Sequence, residues 1–259
     1  MTVQGPLPRL RRLIARTADR LWHRTTELRR PHRILFVHIA KTAGTSMRRM
    51  LEREFGAQRV YPGSPHLRLL PGASYPYGSE MLRNFDRLPP HNVLTGHVTA
   101  AMADMLPVPY RTATFLREPV QRSLSMLGHF SRGMKVPAAT LLADREFVAL
   151  NIADFQTRML GADGVCDPHE VGPADGPMLE RATQRLGSLD FVGLTERFGE
   201  SCALFDARFG TAVSGSMRHD QVLRPDGDEL AEFIPRIAPC LEHDRVLYER
   251  ALAAFVPVA

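Results

Sequence analysis

Arg33-Ile34-Leu35-Phe36-Val37-His38-Ile39-Ala40-Lys41-Thr42-Ala43-Gly44-Thr45-Ser46 is the stretch that decides the fold. Residues 33–39 form a short apolar, β-rich run, residues 40–46 are small and polar, and from about Ser46 to Phe55 the pattern turns helical. That order predicts a strand, a loop and a helix. Working outward, Asn92 to His97 and Arg111 to Arg117 are further strand candidates, the second followed by a helix that begins with Pro119 and runs to about Phe130. Helices dominate from Ala138 to Leu160. Phe191–Leu194 is a fourth strand, leading through Thr195 and Glu196 into a helix that ends near Gly210, and Leu241 to Phe255 is a closing helix. Strands alternating with helices, across connections too long for hairpins, predict an α/β fold: a parallel β-sheet flanked by helices on both faces. Residues 61–77 are dense in Pro, Gly and Ser and read as a surface loop.

The chain has 259 residues, 44% hydrophobic and 24% charged, enough to bury one sizeable core. No apolar run approaches the roughly 18 residues needed to cross a bilayer, and no secretion signal opens the sequence. The expected location is cytoplasmic. Cys166, Cys202 and Cys240 lack the spacing of a disulfide framework or a zinc site. The net charge of +5 is concentrated at the start: residues 1–33 hold nine Arg against Asp19 and Glu27. The rest of the chain is nearly neutral and carries no nucleic-acid-binding motif, so nucleic acid is not an expected partner.

Residues 1–32 are expected to form a basic amphipathic helix, with Leu10, Leu13, Ile14, Ala18, Leu21, Thr25 and Leu28 on one stripe and arginines between them. It precedes the domain expected over residues 33–259. Two uses of residues 1–30 stay open: peripheral contact with an anionic membrane, or packing on the protein's own core or on a second copy.

In a parallel α/β sheet, ligands bind beyond the carboxyl ends of the strands, where the first strand delivers Lys41, Thr42, Ala43, Gly44, Thr45 and Ser46. Small residues let backbone N–H groups close around an anion, Lys41 supplies a charge, and Thr45 and Ser46 add hydroxyls. The alternative is a plain turn in which Thr45 or Ser46 caps the helix. A Walker A loop is excluded because Lys41 precedes Gly44.

The run from Phe36 to Ser46 resembles the 5'-phosphosulfate loop of the sulfotransferase family that includes the heparan sulfate 2-O-sulfotransferases. That family usually has Pro where this chain has Ala40. The resemblance implies a P-loop-like sulfotransferase fold and 3'-phosphoadenylyl sulfate (PAPS) as cosubstrate. Leu116-Arg117-Glu118-Pro119, continuing to Ser125, is similar to the family's 3'-phosphate motif, with Glu118 in place of the usual Asp. It implies that Arg117 and Ser125 grip the phosphate, a task suited to a guanidinium and a helix hydroxyl. Further likeness through Asn151 to Leu160, Phe191 to Phe198 and His243 to Tyr248 carries no assigned chemistry beyond packing, capping and a Glu196–Arg197 ion pair.

Gly96 and His97 close the second strand. A strand-end histidine beside glycine, with an ordinary pKa near 6.5, suits removal of an acceptor proton, and the resemblance implies the same role. His38, on the first strand, reads as structural. The expected reaction moves a sulfuryl group from PAPS to a hydroxyl or amine of an acceptor, by family-level expectation a carbohydrate. His97 acts as base, Lys41 stabilises the departing phosphate, and no metal takes part. The alternatives are a nucleotide-dependent kinase and a catalytically inactive nucleotide-binding scaffold.

Overall fold

The computed structural model describes residues 33–68, 75–216 and 230–256. The basic helix expected over residues 1–32 lies outside the described residues. Five strands form one sheet: β1 (Ile34–Val37), β2 (Val60–Tyr61), β3 (Val93–Gly96), β4 (Arg111–Leu116) and β5 (Phe191–Leu194). Their spatial order is β2-β3-β1-β4-β5, and every neighbouring pair is parallel. The described helices of seven residues or more are α1 (Gly44–Phe55), α2 (Pro119–Met134), α3 (Arg145–Asn151), α4 (Phe155–Gly161), α5 (Gly176–Ser188), α6 (Phe198–Phe209) and α7 (Glu242–Ala254).

The central strand explains the architecture. All four residues of β1 are buried. Leu35 and Val37 pack on one face with Met159 and Leu160 of α4, Ala182 of α5, and Leu247 and Ala251 of α7. Ile34 and Phe36 pack on the other with Met47, Met50 and Leu51 of α1 and Cys202 and Phe205 of α6. A strand covered on both faces has no polar side, which is why it reads as a continuous apolar run rather than an alternation. Each such side chain contributes about 1.5–3 kcal/mol by leaving water.

The sheet has one strand more than expected. β2 is two residues long, sits at the edge, and stops where Pro62 offers no N–H to the ladder. The stretch read as a loop also holds a short helix, Ser64–Leu67. The helical region from Ala138 to Leu160 resolves into three helices, and Asp144 starts α3 by accepting from Glu146 N–H at 2.9 Å and Phe147 N–H at 3.2 Å. All three cysteines are free thiols, Cys166 and Cys202 buried in the two cores. No helix among the described residues is long and apolar enough to cross a membrane.

The strand order positions the site. After β1 the chain moves outward to β2, and after β4 it moves the opposite way to β5. Connections that diverge from adjacent strands open a crevice at their carboxyl ends, here between β1 and β4.

Candidate functional site

The loop after β1 is strained. Lys41 and Ala43 both adopt left-handed backbone, with φ of 72° and 63°. For residues bearing a Cβ this costs roughly 1–2 kcal/mol each, and such outliers collect at functional sites. Left-handed residues in short loops can turn successive N–H groups toward one side, the concavity that holds anions. Ala43 is the N-cap of α1 and makes no side-chain capping bond. Neither Thr45 nor Ser46 acts as the cap, so the first-turn amides and the positive end of the helix dipole are left for a ligand.

Thr42 departs from the rest of the loop. Its hydroxyl donates to the Ile39 carbonyl at 2.8 Å and its side chain is buried, so it braces the turn. Gly44 has a steric reason: a Cβ there would lie 1.9 Å from Cδ2 of His38. The first turn of α1 can therefore press against the imidazole only with glycine at this position.

Arg117 follows β4. Its backbone N–H donates to Oε1 of Gln156 at 2.9 Å, and its carbonyl accepts from Nε2 of the same residue at 2.9 Å. Gln156 is held in turn, since its own N–H and that of Thr157 donate to the buried Asp244 carboxylate. Nη1 of Arg117 donates to the Lys41 carbonyl at 3.3 Å, joining the two loops. Glu118 starts α2 by accepting from Val120 N–H at 3.1 Å and Gln121 N–H at 2.7 Å. Ser125 lies further along that helix and is buried.

His97 follows β3. Its Nδ1 is 2.8 Å from the His38 carbonyl oxygen. A carbonyl only accepts, so Nδ1 carries the proton and Nε2 keeps its lone pair. Burial pushes the His97 imidazole below its usual range; the His38 carbonyl opposes that shift, and Arg122, His129 and Lys41 add to it. His38 is pushed further down, first by burial and then by His97, whose ring centroid is 4.4 Å away.

One cavity of about 890 Å³ brings these groups together: Lys41, Ala43, Gly44, Thr45, Ser46, His97, Arg117 and Ser125 all line it. Thr42 does not. His38, read from sequence as structural, lines it too, as do His129, Tyr75 and Tyr77. The signal for His38 was present, because the residue immediately after a buried strand stands at the ligand edge of the sheet. Tyr75 and Tyr77 were hidden by the Pro- and Gly-rich composition around them. Arg122 had no signal at all: fully buried, it lies 4.0 Å over the Phe155 ring and donates from Nε to the Ala40 carbonyl at 3.2 Å and from Nη1 to the Asn151 carbonyl. Burial brings its pKa down to about 9, which still leaves it charged at neutral pH.

The expected Glu196–Arg197 pair is not formed. Arg197 binds Glu200 through Nε at 3.0 Å, while Glu196 accepts from Glu118 N–H at 2.9 Å and Tyr248 OH at 2.7 Å. No group of His, Cys, Asp and Glu among the described residues has the arrangement of a metal site.

The arrangement can hold a ligand with two anionic groups, one at the strained loop and one at Arg117 and Ser125, with a neutral imidazole nitrogen beside them. Neither a family model nor a curated protein matches the chain.

Proposed function

We propose that the protein is a PAPS-dependent sulfotransferase, with the P-loop-like sulfotransferase arrangement of its sheet and loops. The observation that carries this reading is the meeting of two anion sites and a base in one cavity: the Lys41–Ser46 loop, Arg117 with Ser125, and His97. The uncapped start of α1, directly after the left-handed residues Lys41 and Ala43, fits a 5'-phosphosulfate. The Arg117 and Ser125 wall fits the 3'-phosphate that separates PAPS from ordinary nucleotides.

When bound, PAPS supplies the sulfuryl group: an acceptor O–S bond forms as the S–O bond to the phosphate breaks, and the electron pair leaves with 3',5'-adenosine bisphosphate (PAP). His97 Nε2 takes the acceptor proton, its tautomer fixed by the His38 carbonyl. Lys41 and the loop amides stabilise charge gathering on the leaving phosphate. Arg117, clamped by Gln156, orients the nucleotide without having to order itself on binding.

The test is calorimetric titration of PAP and ATP, followed by mass spectrometry for an added sulfuryl group on glycans incubated with protein and PAPS. PAP binding with sulfated product supports the reading. Preference for ATP with a strict magnesium requirement overturns it in favour of a kinase, and PAP binding without turnover on any acceptor favours the scaffold.

A further inference from the structure

The cavity has two chemically unlike halves. Among the described lining residues, Lys41 and Arg117 are the Lys and Arg side chains, and both belong to the anion loops. The half beyond His97 is built differently. Tyr75 stands edge-on to His97 with ring centroids 4.9 Å apart. At the mouth, Tyr77 lies 4.7 Å from the His169 ring and leaves 57% of its surface exposed. Glu80, one helical turn on, is the carboxylate among the described lining residues, and Glu170 sits 4.0 Å from His169.

Exposed ring faces at a pocket mouth suit the C–H face of a sugar ring, because they offer apolar area without ordering a flexible chain. A carboxylate only accepts hydrogen bonds, so Glu80 selects hydroxyl donors and repels sulfate or uronate groups. We propose that the acceptor is an uncharged sugar, stacked on Tyr77 and His169 and donating hydroxyl hydrogen bonds to Glu80. This inference rests on the sulfotransferase reading of the same cavity. A polyanionic glycan would instead call for cations in this half of the cavity.

The experiment uses the full chain saturated with PAP on an array carrying neutral glycans and acidic ones bearing sulfate or uronate, after PAP binding has been measured by calorimetry. Neutral glycans are expected to dominate the bound set. Tyr77→Ala is expected to weaken their binding about tenfold, the ratio that corresponds to about 1.4 kcal/mol, and Glu80→Lys to move binding toward acidic glycans. Acidic glycans bound preferentially or equally, or no glycan bound, overturns the inference while PAP binding leaves the sulfotransferase reading standing. Failure of PAP itself to bind removes both.

Discussion

Gln156 holds Arg117 by both ends of its backbone, accepting from the N–H and donating to the carbonyl, each at 2.9 Å. A side-chain amide thus does the work of a neighbouring strand just past the end of β4, where Arg117 needs a fixed backbone to aim its guanidinium. Gln156→Leu strands two buried backbone groups at about 1–3 kcal/mol each. The expected result in urea unfolding is a loss of about 2–6 kcal/mol, together with weaker PAP binding. Unchanged unfolding in the leucine variant would show that the clamp is dispensable.

Arg117→Ala is expected to weaken PAP binding by about 1.5–3 kcal/mol, the worth of a hydrogen bond to a charged group, and to leave an analogue without the 3'-phosphate almost unaffected. Equal losses for both ligands assign Arg117 to another group. Lys41→Ala is expected to lower turnover more than affinity, because in the proposed reaction the charge on the leaving phosphate grows in the transition state.

His97→Ala is expected to lower turnover by about 10²–10⁴ with PAP affinity within a few-fold of the parent. The pH profile supplies an independent check. Because burial depresses the His97 pKa, protonation of its base nitrogen requires more acid than for a free histidine. The acid limb of kcat/KM is therefore expected below pH 6.5, with activity flat from neutrality down to that limb. A limb above 6.5 would place the titrating group elsewhere.

Gly44→Ala forces a Cβ to within 1.9 Å of the His38 ring, and overpacking of this kind costs about 1–3 kcal/mol. His38→Ala in the same chain removes the obstacle. The double variant is expected to recover much of the loss in thermal unfolding; additive losses would mean that the glycine is needed for another reason.

The sheet was legible at β1, where burial on both faces left an unbroken apolar run, and at β3, β4 and β5, whose short β-rich stretches stand between turn residues. It was illegible at β2, where two residues at an edge carry no period and Pro62 follows at once. α5 was missed because Gly176-Pro177 opens it and Gly187 nearly closes it, residues that punctuate more often than they extend. In the site, the two loops that meet at the cavity were readable as candidates because their residues lie in short local runs. Gln156 and Arg122 were not, since each acts on a backbone carbonyl or amide far away in sequence, and nothing about an isolated Gln or Arg announces such a partner.

The left-handed backbone at Lys41 and Ala43 sets stability and activity against each other at one position and aligns them at the other. Glycine relieves the Cβ clash at either site. At 43 it is expected to stabilise the chain without removing a charged group, while at 41 the same relief removes the ammonium that the proposed reaction uses. Laboratory selection for heat resistance alone would therefore enrich glycine at both positions, and adding a requirement for turnover would keep it at 43 and restore lysine at 41.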